Sequence, residues 1–285
     1  MKKLLFQFDT DSYPSVFDTV VAYDGGSDRV TGYANVTPEN VGALIDGTIF
    51  TRGGKDKQNT AIFVGGGSME KGEALLAAVK KRFFGLFRVS VMLDSNGSNT
   101  TAAAGVALLA KTKKLKGKKA MVLAGTGPVG MRAAAMLHSE GAEVAITSRL
   151  KQRAEAAAKA IRERFGFSPV PLETRDNAAR AEAIKGTEVV FAAGAIGVPL
   201  LGEKEWQDNP KIELMADCNA QPPLGIAGIE ATDKAKERHG KIVTGALGLG
   251  GLKLKLHRTC IGQLFESSDQ LFDAENIYAQ AKSLA

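Results

Sequence analysis

Cysteine is nearly absent from this chain: Cys218 and Cys260 are the only two among 285 residues, far apart and outside any paired spacing. That excludes a disulfide framework, and it supplies no thiolate set for a metal, so no metal site is expected. Aromatic residues are scarce at 6%, with one tryptophan, which leaves no platform for stacking bases. No apolar run approaches the ~18–20 residues of a membrane span, so no membrane partner is expected. The opening MKKLLFQFDTD reaches Gln7, Asp9 and Asp11 before an apolar segment of leader length can form. No signal peptide is read, and a cytoplasmic location is expected. The charge excess is modest, +6 from 37 basic and 31 acidic residues, and it is dispersed. It suits an anionic small molecule, and no nucleic-acid partner is expected.

Glycine is plentiful, at 32 residues, and clusters at a few loops. Between those loops, short runs rich in Val, Ile and Phe alternate with longer Ala-rich segments. This alternation predicts repeated β-α units on a mostly parallel sheet, an α/β fold. Strands are expected at 4–8, 60–66, 87–94, 120–125, 143–148, 187–194, 212–219 and 242–245. Helices are expected at 69–85, 100–111, 131–141 and 153–166, with a last one opened by an Asp273 cap. Thr37-Pro38-Glu39 has the form of a helix start with proline at the first helical position. GALGLGG (245–251) reads as a turn. The polar stretch KTKKLKGKK (111–119) reads as a solvated linker. Two domains follow: 1–110 with a returning segment 250–285, and 111–249.

The second domain opens with Gly125-Thr126-Gly127-Pro128-Val129-Gly130 between a predicted strand and a predicted helix. In that context G-x-G-x-x-G is a dinucleotide turn: Gly125 bends it, Gly127 lets a pyrophosphate approach, and Gly130 lets helix and strand pack closely. The helix amino terminus then faces the phosphates. The next strand ends Thr147-Ser148-Arg149, with Lys151 and Arg153 beyond. An NAD site places a carboxylate there, whereas a guanidinium clamps a 2′-phosphate, so NADP is the expected cofactor. Ser148, Arg149 and Arg153 are the candidate contacts. Ala193, Gly194, Ala195 and Asn219, after two later strands, complete the expected cofactor set.

Several stretches carry a specific likeness: FQFDTDSYPSVFD (6–18), GTIFTRGGKDKQNTAIFVGGG (47–67), MLDSNGSNTTAAAGVALL (92–109), GTGPVGMR (125–132), CNAQPPLGIAGIEATD (218–233) and GALGLGGLKLKLHR (245–258). Across nearly its full length the chain resembles the NADP-dependent methylene-tetrahydromethanopterin/methylene-tetrahydrofolate dehydrogenases of methylotrophic bacteria. The resemblance implies a pterin-facing α/β domain, a Rossmann-like NADP domain, a cleft between them, and a homotrimer. It implies oxidation of the methylene bridge of a reduced pterin carrier with reduction of NADP. The catalytic residues it implies are Phe17, Thr101, Lys253 and His257, with Ser15, Asp18, Ser98 and Thr100 as substrate-binding neighbours. Lys253 and His257 are spaced i, i+4, so a helix would project both from one face.

The implied reaction moves a hydride and no proton, because the two flanking nitrogens delocalise the developing cation. Phe17 would then stack on the pterin, Thr101 would hydrogen-bond it, and Lys253 and His257 would grip polar atoms away from the reacting carbon. From the residues alone, Phe17 serves equally as core, Lys253 as a solvated lysine beside Lys255, and His257 as a capped surface side chain. Two other readings compete. A shikimate- or amino-acid-type dehydrogenase needs a proton acceptor, and no Lys-Asp dyad is visible in the first domain. A non-catalytic NADP sensor would not need the polar DSNGSNTT and LKLKLHR segments. Cyclohydrolase activity is not expected, because Ser27 stands where a lysine would follow Tyr23.

Overall fold

The computed structural model describes residues 1–285. The chain begins with β1 (Leu4–Asp9), α1 (Val16–Asp24), β2 (Arg29–Tyr33), α2 (Gly42–Phe50), β3 (Thr60–Gly65), α3 (Met69–Arg82), β4 (Ser90–Leu93) and α4 (Ser98–Thr112). It continues with β5 (Lys119–Leu123), α5 (Pro128–Ser139), β6 (Glu143–Ser148), α6 (Lys151–Phe165), β7 (Val170–Glu173), α7 (Asn177–Ala183) and β8 (Val189–Ala192). The remainder is α8 (Glu203–Trp206), β9 (Leu214–Asp217), β10 (Lys236–Arg238), β11 (Lys241–Thr244), α9 (Ala246–Gln263), β12 (Leu271–Phe272) and α10 (Ala274–Leu284). No helix is long and apolar enough to cross a membrane.

Two compact units result. The first comprises Met1–Thr100, Leu254–Gln280 and Leu284, and the second Thr101–Lys253 with Ala281–Ser283 and Ala285. The first unit holds a parallel sheet in the order β12-β4-β3-β1-β2. Strands β3 and β4 are buried at every position, which is why they read as continuous apolar runs rather than alternating ones. Phe8, Ile45, Ile62, Leu75, Val79 and Leu93 form the core between that sheet and helices α2 and α3. The second unit holds β10-β11-β9-β8-β5-β6-β7, parallel except for the β10–β11 pair. Its core gathers Leu123, Val190, Met215, Ile226 and Val243 around the fully buried Trp206.

Three expectations change. The units exchange within helices α4 and α9, not at 110/111 and 249/250, because each helix runs uninterrupted through the exchange point. The 111–119 stretch is largely solvated, as expected, with Lys111, Lys113, Lys114, Lys116, Gly117 and Lys119 exposed, but it is pinned in place and not a loose linker. Lys113 and Lys118 pair with Glu213 at 2.8 and 2.7 Å, and Lys118 also reaches Glu188 at 3.1 Å. The two lysines hold the Glu213 carboxyl below the ordinary carboxylate range, the Lys119 N–H does most to hold Glu188 there with Lys118 adding to it, and Leu115 is buried. Thr37-Pro38 heads a turn, in which the Asn40 side chain accepts the Thr37 N–H at 2.8 Å, and helix α2 starts only at Gly42.

The glycine-rich 245–251 segment also departs from expectation, for it is the start of α9 and not a turn. Gly245 and Gly248 lie against the 230–233 backbone, where an added Cβ would overlap the carbonyl oxygens of Glu230 and Asp233. Gly250 and Gly251 face open space. The glycines at the first two positions let the helix settle on that backbone, so close packing overrides low helix propensity. Gly248→Ala should therefore destabilise the protein by about 1–3 kcal/mol, as overpacking does. Gly250→Ala, in the same helix, should stabilise by roughly 0.5–1 kcal/mol through propensity alone. Thermal unfolding of the two variants checks this opposite pair of signs.

Candidate functional sites

In the second unit, β5 lies between β6 and β8, and the chain winds away from it in both directions, so its carboxyl end is a topological switch point. The turn there is built without side chains. Ala124 takes a positive φ of 52°, its N–H donates to Thr147 Oγ1 at 3.1 Å, and the Gly125 N–H donates to the Thr147 carbonyl at 3.0 Å. A Cβ on Gly125 would stand 2.8 Å from Ile146 Cβ, and one on Gly130 would stand 2.7 Å from Gly125 Cα. Gly127, the residue before α5, meets nothing within 4 Å. Two glycines thus close the packing of helix on strand, while the middle one leaves room above the helix amino terminus. That is the shape a pyrophosphate requires.

This turn floors a cavity of about 260 Å³. Thr126 and Gly127 line it together with Ser148, Arg149 and Arg153, and Ala193, Gly194 and Ala195 form part of its wall. Five expected cofactor residues do not line it. Gly125, Pro128, Val129 and Gly130 shape the turn and the first turn of α5. Asn219, 2% exposed, braces the 193–195 loop through Nδ2 on the Ala195 carbonyl at 3.4 Å. Thr147, Thr174, Arg180, Val198 and Leu200 line the cavity without having been singled out in the sequence. The lining contains three arginines and no carboxylate, the charge pattern of a site for a phosphorylated ribose.

In the first unit, the carboxyl edge of the parallel sheet gathers buried polar groups. Asp9, at the end of β1, accepts the Asp11 and Ser15 N–H groups at 2.9 and 3.0 Å. Asp94, just after β4, accepts the Asn99 and Thr100 N–H groups at 2.9 and 3.0 Å and the Thr100 hydroxyl at 2.6 Å. It thereby anchors the start of α4. His257 of α9 is fully buried beside it, with Nδ1 3.9 Å from the Asp94 carboxylate and its ring stacked on Phe63 at 5.4 Å. Phe17 lies 6.4 Å from the same imidazole but is half exposed.

The structure therefore brings Phe17, Asp18, Ser98, Thr100 and His257 to one sheet edge, with different access. Ser15 caps α1 by accepting the Asp18 N–H at 3.2 Å, and Asp18 is buried. Ser98 and Thr100 are fully buried. Thr101 is partly exposed on the first turn of α4. On α9, Lys253 is half-buried one helical turn before His257, and Lys255 is exposed. Asp9, Phe63 and Asp94 escaped the sequence reading. The signal that marks the two aspartates is an acid at or just past the end of an apolar parallel strand. Neither cysteine offers a nucleophile: burial pushes the Cys218 thiol well up, and the Cys260 thiol up to about 12.

Comparison with known proteins supplies the family. The model of the family described as methylene-tetrahydromethanopterin dehydrogenase, N-terminal, matches residues 16–96. The chain is 66% identical over 286 residues to the bifunctional protein MdtA of Methylorubrum extorquens, covering 100% of this chain and 99% of that protein. It is 30% identical over 294 residues to the NAD(P)-dependent methylenetetrahydromethanopterin dehydrogenase of the same organism, with 100% and 99% covered. Among solved structures, the ligand-free 5-ketofructose reductase of a Gluconobacter species shares the fold with a TM-score of 0.55 at 14% identity, covering 100% of this chain and 99% of its own. By these full-length identities, the chain belongs to the methylene-tetrahydromethanopterin dehydrogenase family.

Proposed function

We propose that the protein oxidises the methylene bridge of methylene-tetrahydromethanopterin, and of methylene-tetrahydrofolate, with NADP as acceptor, giving the methenyl pterin and NADPH. Membership of the family supports the pterin, and the observation that carries the cofactor is the glycine turn under a lining of three arginines and no carboxylate. NADP bound there would supply the hydride acceptor. Gly127 and the amino terminus of α5 would hold its pyrophosphate, and Ser148, Arg149 and Arg153 its phosphorylated ribose.

The rest falls to positioning and electrostatics. The product is a cation, and the sheet edge of the first unit carries Asp9, Asp18 and Asp94, none more than 9% exposed. Fixed negative charge of this kind favours a positive charge that develops nearby. The half-exposed ring of Phe17 offers an apolar face to the pterin, and Thr101 and Lys253 take its polar atoms. His257 is assigned a different role from the grip expected of it, since an imidazole at 0% exposure stacked on Phe63 has no surface to offer a ligand. It positions Phe63 and the Asp94 anchor of α4. The same reading places the protein in one-carbon metabolism in the cytoplasm as a homotrimer. The exposed apolar stripe of Val16, Val20 and Tyr23 along α1, with the exposed Tyr13 just before it, supports self-association.

Two kinetic tests follow from this division of labour. Lys253→Ala should lower kcat/KM for the methylene pterin by tens-fold and leave NADP affinity unchanged, since misplacement by about 1 Å costs on the order of 100-fold. Lys255→Ala, on the exposed face, should be silent, and steady-state kinetics of the pair decides. With no proton in transit, kcat should stay level between about pH 6 and 9. His257→Gln should lower that level without altering its shape. A unit-slope limb that vanishes in His257→Gln would make the imidazole a general acid or base and refute the positioning role.

A further inference from the structure

One residue of the arginine-lined cavity lies outside the segment that ordinarily reads a phosphorylated ribose. Arg180 belongs to α7, between β7 and β8, well beyond the Ser148-Arg149 strand end. Its side chain is nine-tenths buried and yet lines the same cavity as Ser148, Arg149 and Arg153. Its hydrogen bond goes to a neutral acceptor, from Nη1 to Asn177 Oδ1 at 2.6 Å. Asp176, the acid whose charge acts on it, has its carboxylate engaged as the α7 cap, accepting the Ala179 N–H at 2.8 Å. A guanidinium buried without a carboxylate in its hydrogen-bonding shell is unfavourable unless an anion completes it. Its surroundings agree: burial lowers the Arg180 pKa, Asp176 only partly opposes that, and the like charge of Arg149 lowers it further.

We propose that Arg180 is a specificity-determining residue for the cofactor, closing with Arg149 on the phosphomonoester that distinguishes NADP from NAD. A dianion between two guanidiniums removes their mutual repulsion and satisfies the buried one, with the forked donors that such an oxygen set prefers. The hydrogen bond to Asn177 Oδ1 holds the Nη1 arm of the Arg180 fork, so the residue is oriented before ligand arrives. Without the dianion the pair repels, which adds discrimination against NAD to the attraction for NADP. The inference rests on the NADP part of the function proposed above, and not on its pterin part.

Equilibrium binding of 2′,5′-ADP and 5′-ADP, measured by calorimetry on the whole protein, tests it without any turnover. Arg180→Met keeps most of the apolar stem. It should weaken 2′,5′-ADP at least tenfold and change 5′-ADP less than twofold. Arg180→Lys, which keeps the charge but not the fork, should fall between, and it carries the test alone if the methionine variant does not fold. Equal losses for both ligands would place Arg180 on the shared adenosine and overturn the proposal, as would unchanged binding in both variants. A wild-type protein that binds the two ligands equally would overturn the proposal and the NADP assignment together. Selective loss in a protein that does not oxidise methylene pterins would uphold Arg180 and refute the pterin reading instead.

Discussion

The approach of helix α5 to strand β5 is so close that no side chain fits between them, and the nucleotide cavity depends on it. Gly130 leaves no room for a Cβ above Gly125, and Gly125 leaves none against Ile146. Only this approach puts the α5 amino terminus directly over the switch point, with Gly127 open to the cavity. The neighbouring strand β6 is tied to the same turn through the Thr147 hydroxyl and carbonyl, so Ser148 and Arg149 emerge beside it. The direction and the charge of the cavity are therefore set by one packing constraint and one strand end.

The first unit solves a different problem. Its carboxylates are placed by strand ends and locked by backbone N–H donors: Asp9 by the loop into α1, Asp94 by the first turn of α4. They supply a fixed negative field instead of mobile acid-base groups, which matches a reaction that makes a cation and transfers no proton. A dehydrogenase acting on an alcohol must also take up the hydroxyl proton. The one histidine at this edge is buried against Phe63, where it is poorly placed for that task.

Much of this was legible in the sequence, wherever local pattern and tertiary demand coincide. Buried parallel strands announce themselves as unbroken apolar runs, and the glycine turn as three positions with distinct steric duties. The arginine at the β6 end was legible because a carboxylate belongs there in an NAD site. Arg180 was not, since an arginine in a short polar helix looks like any solvated one, and only the fold carries it into the cavity. The start of α9 was misread because four glycines within seven residues resemble a turn, and two of them are required by backbone contact instead. Lys253 and His257 do lie on one helix, the condition under which their i, i+4 spacing gives them a common face. It could not reveal that one is half-buried and the other wholly enclosed, because burial at each turn depends on what the rest of the chain packs against it.

Everything above turns on direct hydride transfer from the methylene bridge to NADP without an enzymic proton carrier. Methylene-tetrahydromethanopterin carrying two deuteriums on the bridge tests it, with mass spectrometry of both products after a single turnover in ordinary water. One deuterium should appear in NADPH, one should remain on the methenyl carbon, and none should enter solvent. Unlabelled NADPH, or deuterium washed into water, would rule out direct transfer.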